Sequence, residues 1–98
     1  MTAKLLEQAQ RQLSEAGASM RCSEMGKLLE GLGFEVRDGR RGGHKLFFHD
    51  GTPGFMSGAY NCDHGRNPEI KRPYIKKTLK ILQQYEAELT RYLEQDND

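Results

Sequence analysis

Apolar residues fall at two periods along this chain. Between Thr2 and Ala16 they stand at Leu5, Leu6, Ala9, Leu13 and Ala16, the spacing of one helix face, and Gly17 follows as a stop. A second helix is predicted from Cys22-Ser23-Glu24-Met25, with Ser23 as its cap, Met25, Leu28, Leu29 and Leu32 as its apolar face, and Gly33 as its end. The period then drops to two. Phe34-Glu35-Val36-Arg37 alternates as a first strand, Asp38-Gly39 turns, and His44 to His49 reads as a second strand. Asp50-Gly51-Thr52-Pro53-Gly54 is a turn signal. Phe55 to Asn61, interrupted by Gly58, is a weaker third strand leading into the loop Asp63-His64-Gly65-Arg66-Asn67-Pro68. The helical period returns after Pro73, a residue suited to a first turn. Ile75, Leu79, Leu82, Glu86, Leu89 and Leu93 then follow four-three spacing, with Glu86 alone out of pattern, as one long helix.

The order helix, helix, strand, strand, strand, helix, with connections too short for parallel crossovers, predicts an α+β fold: an antiparallel three-stranded meander with helices on one face. Ninety-eight residues supply one small core. We therefore expect a single domain over residues 1–98, with a helical extension over 1–19, a central unit over 20–82, and a helix continuation with an acidic tail over 83–98. Hydrophobic residues make up 36% of the chain and none is Trp, so Leu, Ile, Phe and Met must build the core. No apolar run approaches the ~20 residues of a bilayer span, and the N-terminus is polar and helix-forming, so a cytoplasmic protein without membrane association is expected. Cys22 and Cys62 are too few for a disulfide framework and lack CxxC spacing, so reduced thiols are expected.

The formal charge of +1 conceals a split. Residues 21–80 carry twelve Lys and Arg against seven Asp and Glu, whereas residues 81–98 carry Arg91 against five acids. The basic excess lies with the histidines and the glycine-rich loop, the distribution of a centre that faces a polyanion.

Within that centre, Gly42-Gly43-His44-Lys45-Leu46-Phe47-Phe48 follows directly on Arg40-Arg41. An imidazole here can move protons near neutral pH. Glycines at 42 and 43 let backbone amides approach a phosphate, and Arg40, Arg41 and Lys45 can neutralise one. RNA carries its own nucleophile, the 2′-hydroxyl, so a metal-free nuclease needs only a base, an acid and positive charge for the phosphorane. His64, in a flexible basic loop with Arg66, is a candidate second proton-transfer group. Lys71, Arg72, Lys76 and Lys77 are candidate phosphate contacts, since cations at a helix N-terminus oppose the macrodipole and helix stability does not explain them. His49, before a turn, reads as a strand end. Cys62-x-His64 with His44 is too sparse for a zinc site, and no nucleotide-loop, nucleophile-elbow or HExxH motif occurs, so neither metal nor cofactor is expected.

From Met20 to about Leu82 the chain resembles HicA-type toxins. Ser23-Glu24-Met25-Gly26-Lys27-Leu28-Leu29-Glu30-Gly31-Leu32-Gly33-Phe34-Glu35-Val36 is similar to their opening helix and first strand. Gly42-Gly43-His44-Lys45-Leu46-Phe47 looks like their Gly-Ser-His-x-x-Phe signature, and Asp63-His64 with Glu69-Ile70-Lys71-Arg72-Pro73-Tyr74-Ile75-Lys76-Lys77-Thr78-Leu79 resembles the passage into their final helix. The resemblance implies a double-stranded-RNA-binding-like fold, α-β-β-β-α, and an endoribonuclease that cuts messenger RNA as the toxin of a type II toxin and antitoxin pair. It further implies His44 as the catalytic residue and a HicB-type antitoxin as partner. The chain departs from the pattern at Gly43, where Ser is usual, at Pro73, where Gly is usual, and in a longer, glycine-rich stretch from Asp50 to Tyr60. A non-catalytic RNA-binding or protein-interaction module on the same fold is the alternative. The terminal helices, with stripes at Leu5, Leu6, Ala9, Leu13 and at Tyr85, Leu89, Tyr92, Leu93, pack on each other within one chain, form a homodimer, or await the antitoxin.

Overall fold

The computed structural model describes residues 3–96, and Thr2, the expected helix start, lies outside them. Helix α1 (Ala3–Glu15) is followed by strand β1 (Ser19–Arg21), helix α2 (Cys22–Gly31), strands β2 (Glu35–Asp38), β3 (His44–Phe48), β4 (Gly58–Asn61) and β5 (Glu69–Lys71), and helices α3 (Arg72–Gln84) and α4 (Glu86–Asp96). The predicted meander is present: β2, β3 and β4 pair antiparallel in that order, with β3 central. A second sheet, which the pattern does not predict, joins β1 to β5 with Met20 opposite Ile70. Both residues are buried. Each of these strands feeds straight into a helix, and the Asp63 N–H donates to the Glu69 carbonyl (2.8 Å), tying the two sheets together.

Several boundaries differ from expectation for local reasons. Arg21 is the N-cap of α2 in extended conformation, with the Glu24 carboxylate accepting its N–H at 3.3 Å, so Ser23 lies inside the first turn rather than at the cap. The third strand begins at Gly58. Phe55 sits in the preceding loop instead, its ring 5.9 Å from Phe34 and 5.8 Å from Phe47, because the apolar side chain folds back onto the core. The long C-terminal helix breaks at Tyr85, whose hydroxyl donates to the Gly54 carbonyl (3.0 Å) and whose ring meets Phe55. Glu86, the residue out of pattern, opens α4, where with Glu88 it complements the positive helix end.

The largest correction concerns the cysteines. Cys22 and Cys62 form a disulfide, their Cα atoms 5.6 Å apart across 40 residues of sequence, instead of two reduced thiols. Folding brings the first residue of α2 beside the end of β4, a distance well inside the range a bridge spans, and no sequence spacing announces it.

One buried cluster runs from Leu6 through Met25, Leu29, Phe47, Tyr60, Ile75 and Leu82 to Leu93. The N- and C-terminal helices share this core with the sheet. Leu6, Ala9 and Leu13 of α1 and Leu89 and Leu93 of α4 are buried within a single chain, the first of the arrangements the stripes allow, while Leu5 stays 46% exposed. Burial of each such leucine stabilises the fold by roughly 1.5–3 kcal/mol.

Strand alternation gives the meander two unlike faces. Val36, Phe47 and Tyr60 point into the core. The opposite face carries Arg37, His44, Leu46, Phe48, Ala59 and Asn61, brought side by side by the register Arg37 with Leu46 with Ala59 and His44 with Asn61.

Candidate functional site

The loop before His44 is shaped by its hydrogen bonds. Gly39 N–H donates to the His44 carbonyl (2.7 Å) and His44 N–H to the Arg41 carbonyl (3.1 Å), closing a tight connection from β2 to β3. Gly43 takes φ +83°, and a Cβ there would overlap the Cys62 carbonyl oxygen. The close approach is what lets Cys62 N–H donate to the Gly43 carbonyl at 2.7 Å. The position where serine is usual in the HicA-like pattern is therefore one whose backbone demands glycine. A Cβ at Gly39 would in turn overlap the His44 ring.

His44 lies directly across the ladder from Asn61. Its Nδ1 is 2.8 Å from Asn61 Oδ1, and Asn61 Nδ2 donates to the Tyr74 hydroxyl at 2.7 Å. Since an amide oxygen only accepts, Nδ1 carries the proton, and the lone pair of the neutral ring sits on Nε2. Asn61 is thus held at both ends of its amide, by a strand neighbour and by α3, and it fixes both tautomer and ring orientation. Sequence reasoning missed Asn61 and Tyr74, because a polar residue at a strand end gains meaning only from its register partner.

His44 stands between two depressions on the molecular surface. One, of about 750 Å³, is lined by Arg41, Gly42, His44, Asn61, Cys62, Asp63 and His64. The other, of about 440 Å³, is lined by Gly39, Arg40, Arg41, His44 and Leu46. The structure therefore brings together His44, His64, Arg40, Arg41, Gly42 and Gly43. Arg66 projects from the same exposed loop as His64. Cys22 holds that loop at both ends, through its disulfide to Cys62 and through its own N–H donated to the Pro68 carbonyl at 2.9 Å.

Other candidates lie elsewhere. Lys45 alternates to the core-side face, where it pairs with Asp38 across the hairpin. Lys71, by contrast, stays beside the larger depression, its ammonium 3.7 Å from the carboxylate of Asp63, which lines it. Arg72 and Lys76 border a separate depression between α1 and α3, with Leu13, Ser14, Gly17, Ile75 and Leu79. His49 is buried just past the end of β3: Gly51 N–H donates to its Nδ1 (3.0 Å), so Nε2 carries the proton and donates to the Leu32 carbonyl (2.9 Å). Its ring packs edge-on to Phe34 and Tyr92. Cys62, being bonded to Cys22, has no free thiolate to offer a metal.

On the open face, Arg37 is held by Glu35 at 2.6 Å and lies 5.0 Å from the centre of the Phe48 ring. That hydrogen bond keeps the Glu35 carboxyl below its ordinary value and raises the Arg37 guanidinium. On the covered face, burial first, and then the nearby charges of Glu30 and Asp38, push the Tyr60 phenol up to about 12.

No family model, no curated protein and no solved structure matches the chain.

Proposed function

We propose that the chain is a small, metal-independent endoribonuclease that cuts messenger RNA, acting as the toxin of a toxin and antitoxin pair with a HicB-like protein as its antidote. The observation that carries this reading is the hold of Asn61 on His44, which leaves Nε2 as the basic atom at the edge of a cleft furnished with Arg41 and His64. In the reaction, Nε2 takes the proton of a 2′-hydroxyl as O2′ attacks phosphorus. The bond to O5′ breaks, and an imidazolium at His64 supplies the proton that the leaving oxygen needs. The products are a 2′,3′-cyclic phosphate and a 5′-hydroxyl end, so no water and no metal enters the balance. Arg41 and the backbone of Gly42 face the charge that develops on the phosphorane.

Single-turnover cleavage of a labelled RNA tests the reading. His44→Gln lowers the rate about 10²- to 10⁴-fold while RNA affinity stays near the wild-type value. Asn61→Ala lowers the rate less than that and leaves affinity unchanged, as expected of a residue that orients the base. If His44→Gln cuts RNA as fast as the parent chain, the assignment is wrong. If the wild-type chain binds RNA without cutting it or slowing growth, it is a binding module on this fold.

A further inference from the structure

We propose that the depression floored by Leu46 is a nucleobase subsite, which seats the base next to the scissile phosphate and gives cleavage its base preference. The inference rests on the ribonuclease reading and adds a specificity-determining residue to it. Leu46 occupies the middle of the central strand on the face that no helix covers among the described residues, and it is not part of the buried core cluster. Leu46 is half-buried between its cross-strand neighbours Arg37 and Ala59, and the surface it keeps is the one aliphatic side chain lining a depression otherwise made by Gly39, Arg40, Arg41 and His44. The depression, about 440 Å³, has the size of a small-ligand site.

Its position decides the ligand. Arg41 and His44 line both this depression and the polar one beside His64, so a phosphate gripped by Arg41 at His44 sits on the ridge between them. The strand must then leave the ridge into each side. One side offers Asn61, Asp63 and His64; the other offers an aliphatic floor and the guanidinium of Arg40. A nucleobase has apolar faces and polar edges, and it fits Leu46 below with Arg40 stacked on it or bonded to its rim. Duplex RNA cannot present a base face in this way, because both faces are already stacked. The subsite therefore selects single-stranded RNA.

The test uses dinucleotides methylated at the 2′-oxygen beside the phosphate, so that nothing is cleaved, with each base in turn at each position and inorganic phosphate as the control. Methyl NMR follows Leu46. Saturable shifts of its methyls, binding roughly tenfold tighter than phosphate, a preference for one base at one position, and loss of both advantages in Leu46→Ser support the subsite. Phosphate binding as tightly as any dinucleotide, or a Leu46→Ser chain with unchanged base preference, overturns it. A Leu46→Ser change that alters only the protein's mass in solution makes the patch a protein contact and equally overturns it. RNA cleaved through His44 with Leu46 silent would sink the subsite and spare the nuclease. A dinucleotide held at Leu46 by a chain that cuts no RNA would do the reverse.

Discussion

Removing the Cys22–Cys62 bridge is the perturbation whose size follows most directly from the structure. The bond closes a loop of 40 residues, and in the chain-entropy account a closure of that length removes enough freedom from the unfolded chain to stabilise the fold by about 4 kcal/mol. Unfolding entropy of about 2.1 cal/mol/K per residue near 60 °C, taken over 98 residues, converts that figure to a fall in Tm of roughly 20 °C. The assay is a thermal melt followed by circular dichroism on three samples: the oxidised chain, the same chain with excess dithiol, and Cys22→Ala/Cys62→Ala. Alkylation and mass measurement count free thiols in each. The reduced and double-variant chains should melt together, well below the oxidised one. Hydrogen exchange should quicken most over residues 62–68, the loop that Cys22 fastens at both ends. An oxidised sample with no free thiol that melts within about 3 °C of the double variant would refute the ring-closure argument. Alkylation of both cysteines in the untreated native protein would refute the bond itself.

Three further outcomes follow from single side chains. In an alkaline spectrophotometric titration, one of the four tyrosines ionises near pH 12, and Tyr60→Phe removes that step. Because the unfolded phenol ionises near its ordinary value of 10, the contribution of Tyr60 to stability is complete below pH 10 and is lost between pH 10 and 12; urea midpoints that stay level across this window would contradict it. Gly43→Ser, which installs the residue usual in the HicA-like pattern, lowers stability by about 1–3 kcal/mol in urea unfolding, since φ is +83° and the new Cβ meets the Cys62 carbonyl. Leu89→Ala, at a fully buried position in α4, costs about 2–5 kcal/mol; a loss below about 1 kcal/mol would mean that α4 does not belong to the core.

The three-stranded meander, its order and the helix faces were legible because each is repeated: several residues agree on one period, so no single position decides. β1 and β5 were not, since three residues cannot establish an alternation, and their pairing joins segments fifty residues apart. The break at Tyr85 left a trace in the misplaced Glu86, but a single exception in a four-three pattern reads as a solvated substitution until the Gly54 carbonyl is seen to take the tyrosine hydroxyl. His44 could be picked from its neighbours in sequence. Asn61 could not, because the irregular stretch between β3 and β4 hides the register that sets it opposite the histidine. Lys45 shows the converse error: adjacent in sequence to His44, it faces the other side of the sheet, as the residue after any strand residue must.

The disulfide also divides the molecule by how it carries load. Residues 22–62 form a closed covalent ring that contains the whole of β2, β3 and β4. Tension applied to the two ends of the chain unravels the terminal helices and then reaches β1 and β5, where Ser19 lies opposite Lys71. Both pulled ends enter that ladder from the same side, so it parts one rung at a time, from Ser19 and Lys71 to Arg21 and Glu69. There the force arrives at Cys22 and Cys62 and passes from one sulfur to the other. The strands that hold His44 lie off the load path, and the stretched chain is shorter than its full length by about 140 Å. A machine that unfolds proteins by pulling from one end would meet this sheet as a knot-like loop and not as a thread.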